Sequence, residues 1–101
     1  MKNKIYINKE IVELAEKSNN YVLATTVKKW LKEKDNGLLV EGLLYHRAEI
    51  RYSKTREEAL CHRELAKVCL NKIIGYEGLK EREKRQLEFF ENENNIIGVL
   101  R

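Results

Sequence analysis

Residues 38–52, LLVEGLLYHRAEIRY, are the stretch whose conformation decides the fold of this 101-residue chain. From His46 onward apolar and charged side chains alternate, a period of two that indicates a β-strand. Gly42 allows a turn after a shorter partner strand at 38–41. We therefore predict a β-hairpin at about 38–52. A continuous helix through Val40, Leu44 and Ala48 is the alternative that the same residues leave open.

Helical periodicity is clear on the amino-terminal side of this stretch. Apolar residues recur at helical spacing over Lys9–Lys17, and Asn8 before them is a candidate N-cap. A second amphipathic pattern runs over Tyr21–Lys34, with Leu23, Val27, Trp30 and Leu31 on one stripe. The intervening Ser18-Asn19-Asn20 favours a turn. Two helices joined by a short connection are expected here.

Two further helices are predicted in the second half of the chain. Thr55 opens a Thr-x-x-Glu capping box, so a helix is expected from there to about Gly75. Another is expected from Gly78 to about Glu91. The predicted class is therefore mainly α (α+β), with four helices, the hairpin and room for short strands at the termini. The apolar face of the helix after Thr55 is His62, Leu65, Ala66, Cys69, Leu70 and Ile73.

Composition bounds the class of protein. The apolar fraction of 43% and the charged fraction of 36% are typical of a folded domain, and the length allows one small domain. No apolar run approaches the roughly 18 residues of a membrane span, and no secretory signal is visible. We expect a soluble cytoplasmic protein. A net charge of +4 excludes an acidic mimic of DNA.

The residues that commonly carry catalysis or metals form no recognisable motif. On a helix, Cys61 and Cys69 stand about 12 Å apart along the axis, too far to bind one zinc ion or to form a disulfide. His46 and His62 could serve as general acids or bases, although a half-buried strand residue and a helix-flank residue are the more ordinary interpretations. We expect no catalytic residue, no metal and no cofactor, and thus a protein that is not an enzyme.

The positive charge is unevenly distributed. Residues 1–34 contain eight Lys and four Glu, and residues 47–76 contain seven basic and four acidic side chains. These two segments together carry an excess of +7, whereas the rest of the chain is net −3. Such clustering is typical of a surface that meets phosphates. It also fits solvated helix faces, so the pattern alone leaves both interpretations open.

The segment EIVELAEKSNNYVLATTVKKWLKEK, from Glu10 to Lys34, resembles the helix-turn-helix of small winged-helix regulators of the excisionase and MerR type. The likeness rests on Glu13-Leu14-Ala15 and then on TVKKWLKE at 26–33, and it extends over about residues 10–56. It implies a recognition helix in the major groove and a wing hairpin at 46–52. It implies that Val27 and Trp30 are core residues, that Thr25, Thr26, Lys28, Lys29 and Lys32 face DNA, and that Arg47 and Arg51 lie on the wing. Lys54 and Arg56 complete the predicted set of nucleic-acid-binding residues, because they follow these arginines closely in sequence.

On this basis residues 1–101 are expected to form a single domain, with a winged helix-turn-helix part at 1–56 and a helical extension at 57–101. The predicted function is a small DNA-binding regulator, of phage or other mobile-element origin. The alternative is a phage-type inhibitor, such as an anti-CRISPR or anti-defence protein, that binds a host protein or nucleoprotein complex. The apolar tail at 96–100 favours a homo-oligomer. No membrane or small-molecule partner is expected.

Overall fold

The computed structural model describes residues 6–73, 79–82, 84, 85 and 88. Within residues 6–73 it contains the helices α1 (Asn8–Lys17), α2 (Tyr21–Lys32), α3 (Asn36–Ile50) and α4 (Arg56–Lys72). No strand occurs in the described part of the chain. The mainly α class is therefore confirmed, and the β-hairpin predicted at 38–52 is wrong.

Helix α3 occupies the stretch assigned to the hairpin. Asp35 caps it, since its side chain accepts a hydrogen bond from Leu38 N–H at 3.0 Å. The helix ends where the Ser53 hydroxyl donates to the Glu49 carbonyl at 2.9 Å. The Asp-Asn-Gly sequence at 35–37 therefore starts α3, with Gly37 inside its first turn, whereas α2 has already ended at Lys32.

The inward side of α3 explains why the alternation at 46–52 misled. Leu39, Leu43 and His46 are buried, and half-buried Ile50 packs against the same core. Their spacings of four, three and four residues are helical. His46 counts as polar in a hydropathy pattern although it belongs to the buried stripe. A seven-residue alternation was thus weaker evidence than an apolar stripe that continues through a histidine.

Helix α4 lies at the centre, and the other three helices pack against it. Contacts at its two ends fix their directions. Helix α2 runs parallel to α4, because Asn20 bonds to Glu58 and the Leu31 carbonyl accepts from Lys72. Helices α1 and α3 run antiparallel to it. For α1 this follows from the bond of Thr55 to the Ser18 carbonyl and the contact of Cys61 with Ile11.

Two hydrophobic clusters make up most of the core. The first joins α1, α2 and α4, and contains Ile11, Ala15, Leu23, Val27, Cys61 and Leu65. The second joins α3 and α4, and contains Leu39, Leu43, Ala66 and Cys69. Trp30 packs against both clusters and therefore connects α2 to α3. Cys69, predicted on the apolar face of this helix, is a core residue, and Cys61 is also fully buried.

Gly42 is the place where Trp30 reaches α3. A Cβ atom at this position would lie 2.5 Å from Trp30 Cζ3 and 3.0 Å from Cys69 Sγ. Real carbon atoms do not approach so closely, so the missing side chain is what admits the indole ring. The glycine was predicted to interrupt two strands, but its role is to allow a close contact between two helices.

The remaining boundaries differ in detail from the prediction. Helix α1 starts at Asn8 itself, with Ile7 at the N-cap position, and α2 ends at Lys32 rather than Lys34. Thr55 caps α4 as predicted, accepting from Glu58 N–H at 3.1 Å. Tyr6 and Ile7 are not in a strand. The tail at 96–100 and the rest of the terminal strands lie outside the described residues.

The described residues after α4 agree with the helix expected at 78–91. Residues 81, 82, 84, 85 and 88 are helical. Glu81 and Arg85, four residues apart, form an ion pair with 3.9 Å between Oε1 and Nε. Leu79 is buried beside Val40, so this segment begins against the amino-terminal half of α3.

Candidate nucleic-acid interface and buried histidine pair

The outward side of α2 carries a basic face, defined here as Lys28, Lys29 and Lys32, all exposed. Their positions follow from the inward residues of the same helix: Leu23 and Val27 are buried, and half-buried Trp30 packs against the core. Burying that stripe turns the lysines to solvent. The sequence therefore correctly predicted which side of α2 is the charged side.

None of these three lysines forms an ion pair with any described residue. Some basic residues elsewhere in the described part of the chain do form ion pairs. Arg63 and Lys67 both lie 3.6 Å from the Glu64 carboxylate, and Arg85 approaches Glu81. Lys28 and Lys32 are also one turn apart, where like charges slightly destabilise an isolated helix. The basic face is thus available to an external anion.

Thr25 and Thr26 lie at the amino-terminal edge of the basic face. Thr25 is exposed, and Thr26 is half-buried. Both hydroxyls donate to the Val22 carbonyl, at 3.0 and 2.8 Å. As placed, their protons are used within the helix rather than directed at a phosphate.

The second predicted basic group lies elsewhere. Arg47 and Arg51 are one turn apart on α3, not on a wing, and with Tyr52 they line a groove of about 310 Å³. Lys54 and Arg56 are exposed around the start of α4. The structure therefore brings Arg47 and Arg51 together on one groove.

The two groups lie at different ends of the molecule. Lys32 follows Leu31, whose carbonyl is bonded to Lys72 at the carboxyl end of α4. Arg56 is the first residue of that helix. Seventeen residues of α-helix span about 25 Å. A single compact site made of all nine predicted residues is therefore not present.

A pair of buried histidines occupies the interior between α3 and α4. Nδ1 of His46 lies 2.9 Å from Nδ1 of His62, and neither side chain is more than 1% exposed. Trp30 meets the ring of His46 edge-on at 4.9 Å, and the ring of Tyr45 does so at 5.0 Å. Both histidines were predicted at half-buried or flanking positions, so their full burial was missed.

The hydrogen bond between the two rings requires one donor and one acceptor. Nε2 of His62 lies 3.7 Å from Glu58 Oε2, which favours a proton on that nitrogen. His62 then accepts at Nδ1, and His46 donates. Burial, and then the neighbouring His62, lowers the pKa of His46 to about 3. Burial also lowers the pKa of His62, against the opposing effect of Glu58 and Glu49.

Glu58 connects this pair to the loops at one end of the molecule. Burial by itself would raise its pKa, but hydrogen bonds from Lys54 N–H and the Asn20 amide lower it below the ordinary value. The bonds measure 3.1 and 3.0 Å. Glu58 thereby connects the α1–α2 turn to the start of α4. In that turn Asn19 has a φ of 61°.

These buried groups offer little to a substrate. Burial raises the pKa of the Cys61 thiol to about 12 and that of Cys69 to about 11, so both remain protonated. Neither histidine reaches the surface. Among the described residues no group of three or more His, Cys, Asp or Glu side chains could hold a metal ion.

Comparison with known proteins assigns neither a family nor a function to the chain. No protein-family model, no curated protein and no solved structure matches the chain. Within the described part of the chain, no helix has both the length and the apolar character needed to cross a bilayer. The functional argument therefore rests on the surface of the molecule itself.

Proposed function

We propose that this protein is a small nucleic-acid-binding regulator that is not an enzyme and that contacts DNA through the basic face of α2. The observation that carries the proposal is the set of three exposed lysines without ion pairs, on a helix whose opposite side is firmly buried. A helix held in this way presents its charges rigidly to a duplex. Binding would need no wing.

The physical basis is electrostatic. Each phosphate neutralised by a lysine releases a condensed counterion, so affinity falls with rising salt in proportion to the number of such contacts. Lysines already paired with carboxylates contribute little, because an intramolecular ion pair must first be broken. The basic face meets this condition, whereas Lys67 beside Glu64 does not.

A matched pair of charge variants tests the proposal. Lys28→Ala with Lys29→Ala removes two charges from the basic face, and Lys9→Ala with Lys17→Ala removes two from exposed positions of α1. We expect the first variant to bind duplex DNA more weakly and to reduce the slope of log affinity against log salt by about 2. The measurement is a fluorescence-anisotropy titration at several salt concentrations.

Because both variants have the same net charge, the α1 variant controls for non-specific attraction. It should retain nearly the wild-type slope. Equal losses in the two variants would show that overall charge, and not this face, attracts DNA. An unchanged slope in the Lys28 and Lys29 variant would overturn the proposal.

A second candidate function is binding to a host protein, as a phage-type inhibitor would do. It is favoured by Tyr21 and Val22, which are 81% and 60% exposed at the start of α2. Exposed aromatic residues are common anchors of protein interfaces. Under this alternative, Tyr21→Ser abolishes co-purification of a host partner that survives nuclease treatment, while the DNA affinity of the variant is unchanged.

Either function fits a cytoplasmic protein. Cys61 and Cys69 are free thiols buried in the core, as is common in a reducing compartment. Fractionation of the native host tests this placement directly.

A further inference from the structure

The outward side of α3 carries a largely apolar stripe, defined here as Leu38, Glu41, Tyr45, Ala48 and Tyr52, in which Glu41 is the charged member. All five residues are exposed, and the side chains of Leu38, Tyr45 and Tyr52 are 42%, 46% and 69% accessible. The spacings of three and four residues alternate, which is the a and d pattern by which two helices pair. Tyr52 lies just past the helix, but Arg51 keeps helical angles of φ −73° and ψ −20°, so the stripe continues through it.

The opposite side of α3 is already buried against α4 and Trp30. A helix that is apolar on both sides is normally covered on both sides. Large exposed aromatic residues on such a helix are typical of protein interfaces. The stripe therefore indicates a partner, and the placement of its charges indicates which one.

We propose that α3 pairs with α3 of a second copy of this chain, antiparallel and about a two-fold axis between Tyr45 and Ala48. Glu41 stands near the amino-terminal end of the stripe and Arg51 borders its carboxyl-terminal end. Only an antiparallel copy sets each Glu41 beside Arg51 of the partner subunit. The surface is thus complementary to itself, as a two-fold interface requires.

Side-chain size agrees with the same register. The pairing sets Tyr45 against Ala48 of the partner subunit, so that a large residue meets a small one in both copies. Tyr45 is already held in place, with its ring edge-on to His46 at 5.0 Å and to His62 at 6.1 Å. A rigid anchor loses less conformational freedom on association. Neither Glu41 nor Arg51 has an ion pair within the described residues.

The stripe spans fourteen residue steps, about 21 Å. An interface of this length is small, so the dimer is expected to dissociate at micromolar concentrations. The association does not depend on nucleic acid, and it is measured in its absence. Its outcome is consequently separate from the test of the basic face.

Sedimentation equilibrium from about 5 to 300 µM tests the proposal. The wild-type mass should rise with concentration from 12.0 kDa toward twice that value. Glu41→Arg and Arg51→Glu should each raise the dissociation constant at least tenfold, since each places like charges together. An equimolar mixture of these two variants should dimerise again, because both cross-contacts then become Glu with Arg.

Glu13→Arg, at an exposed position of α1, is the matched control and should dimerise as the wild type does. Tyr52→Ser should also weaken the dimer, and it does so without a change of charge. A wild type that stays monomeric at 300 µM overturns the proposal. So does a dimer that both charge variants leave intact, or a mixture of the two that fails to reassociate.

Discussion

The indole of Trp30, on α2, packs against α3, so the two helices are neighbours. Their solvent-exposed sides nevertheless differ in composition. Helix α2 has one buried stripe and an outward side of lysines. Helix α3 has a buried stripe and an outward side that contains Leu38, Tyr45 and Tyr52. Because charged and apolar surfaces favour different partners, we propose an anionic partner for the basic face of α2 and an apolar partner for the stripe on α3.

The inner sides of the two helices also differ, because only α3 buries a titratable group. Below pH 6.5 the unfolded chain protonates its histidines, whereas folded His46 keeps a pKa of about 3. The unfolded state then binds more protons, so stability falls as the pH is lowered. Between pH 7 and pH 5 we expect the free energy of unfolding to fall by about 2 kcal/mol for this group, measured by urea denaturation.

His62 should add to this loss of stability at low pH, since burial lowers its pKa as well. Carboxylates titrate mostly below pH 5, so the histidines account for most of the change in the free energy of unfolding between pH 7 and pH 5. His46→Phe removes one titrating group and should flatten the profile between pH 7 and pH 5, whatever its effect on absolute stability. A wild-type protein equally stable at both pH values would contradict the burial of the pair.

The contact between Trp30 of α2 and Gly42 of α3 leaves no room for a side chain at position 42. In Gly42→Ala the new methyl group collides with Trp30 Cζ3, and the gain in helix propensity offsets only part of the cost. We expect a net destabilisation of about 1 to 2 kcal/mol in urea unfolding.

The same substitution in a Trp30→Phe background provides the control. Phenylalanine lacks the ring atoms that come closest to Gly42, so Ala should cost less there than in the wild type. Additive effects of the two substitutions would show that the close approach does not constrain the fold.

The smallest expected effect concerns the end of α2. The ammonium group of Lys72 donates to the carbonyls of Leu31 and Glu33 at 2.6 and 3.3 Å, and so satisfies groups that a helix end leaves without partners. Lys72→Met should lower the free energy of unfolding by about 1 kcal/mol, allowing for partial exposure. Lys34→Met, at an exposed position, should change it by less than about 0.5 kcal/mol. Equal effects would refute the capping role.

The basic face was predictable because α2 is regularly amphipathic. Once Leu23, Val27 and Trp30 are assigned to the core, the helical period leaves the lysines outside. The position of Arg47 and Arg51 was not predictable in the same way. Their place on a wing came from the resemblance, and it fails because residues 36–50 are helical.

The histidine pair could not be inferred from local sequence. His46 and His62 are sixteen residues apart, and nothing in either neighbourhood indicates that they face each other. The antiparallel packing of α3 on α4 brings them together. A buried stripe at 39, 43, 46 and 50, read with His46 as an apolar position, is the signal that could have revealed the helix.

Local sequence is sufficient to predict the helices with regular amphipathic periods and the cap at Thr55, because these depend on neighbouring residues alone. It also determined that α2 has a charged outer side. The helical conformation of residues 36–50 depends instead on tertiary contacts, because the conformation of an apolar segment is set by the surfaces that cover it. On the inner side of α3, Trp30 packs against Gly42 and His62 lies against His46. These contacts bury that side of the helix.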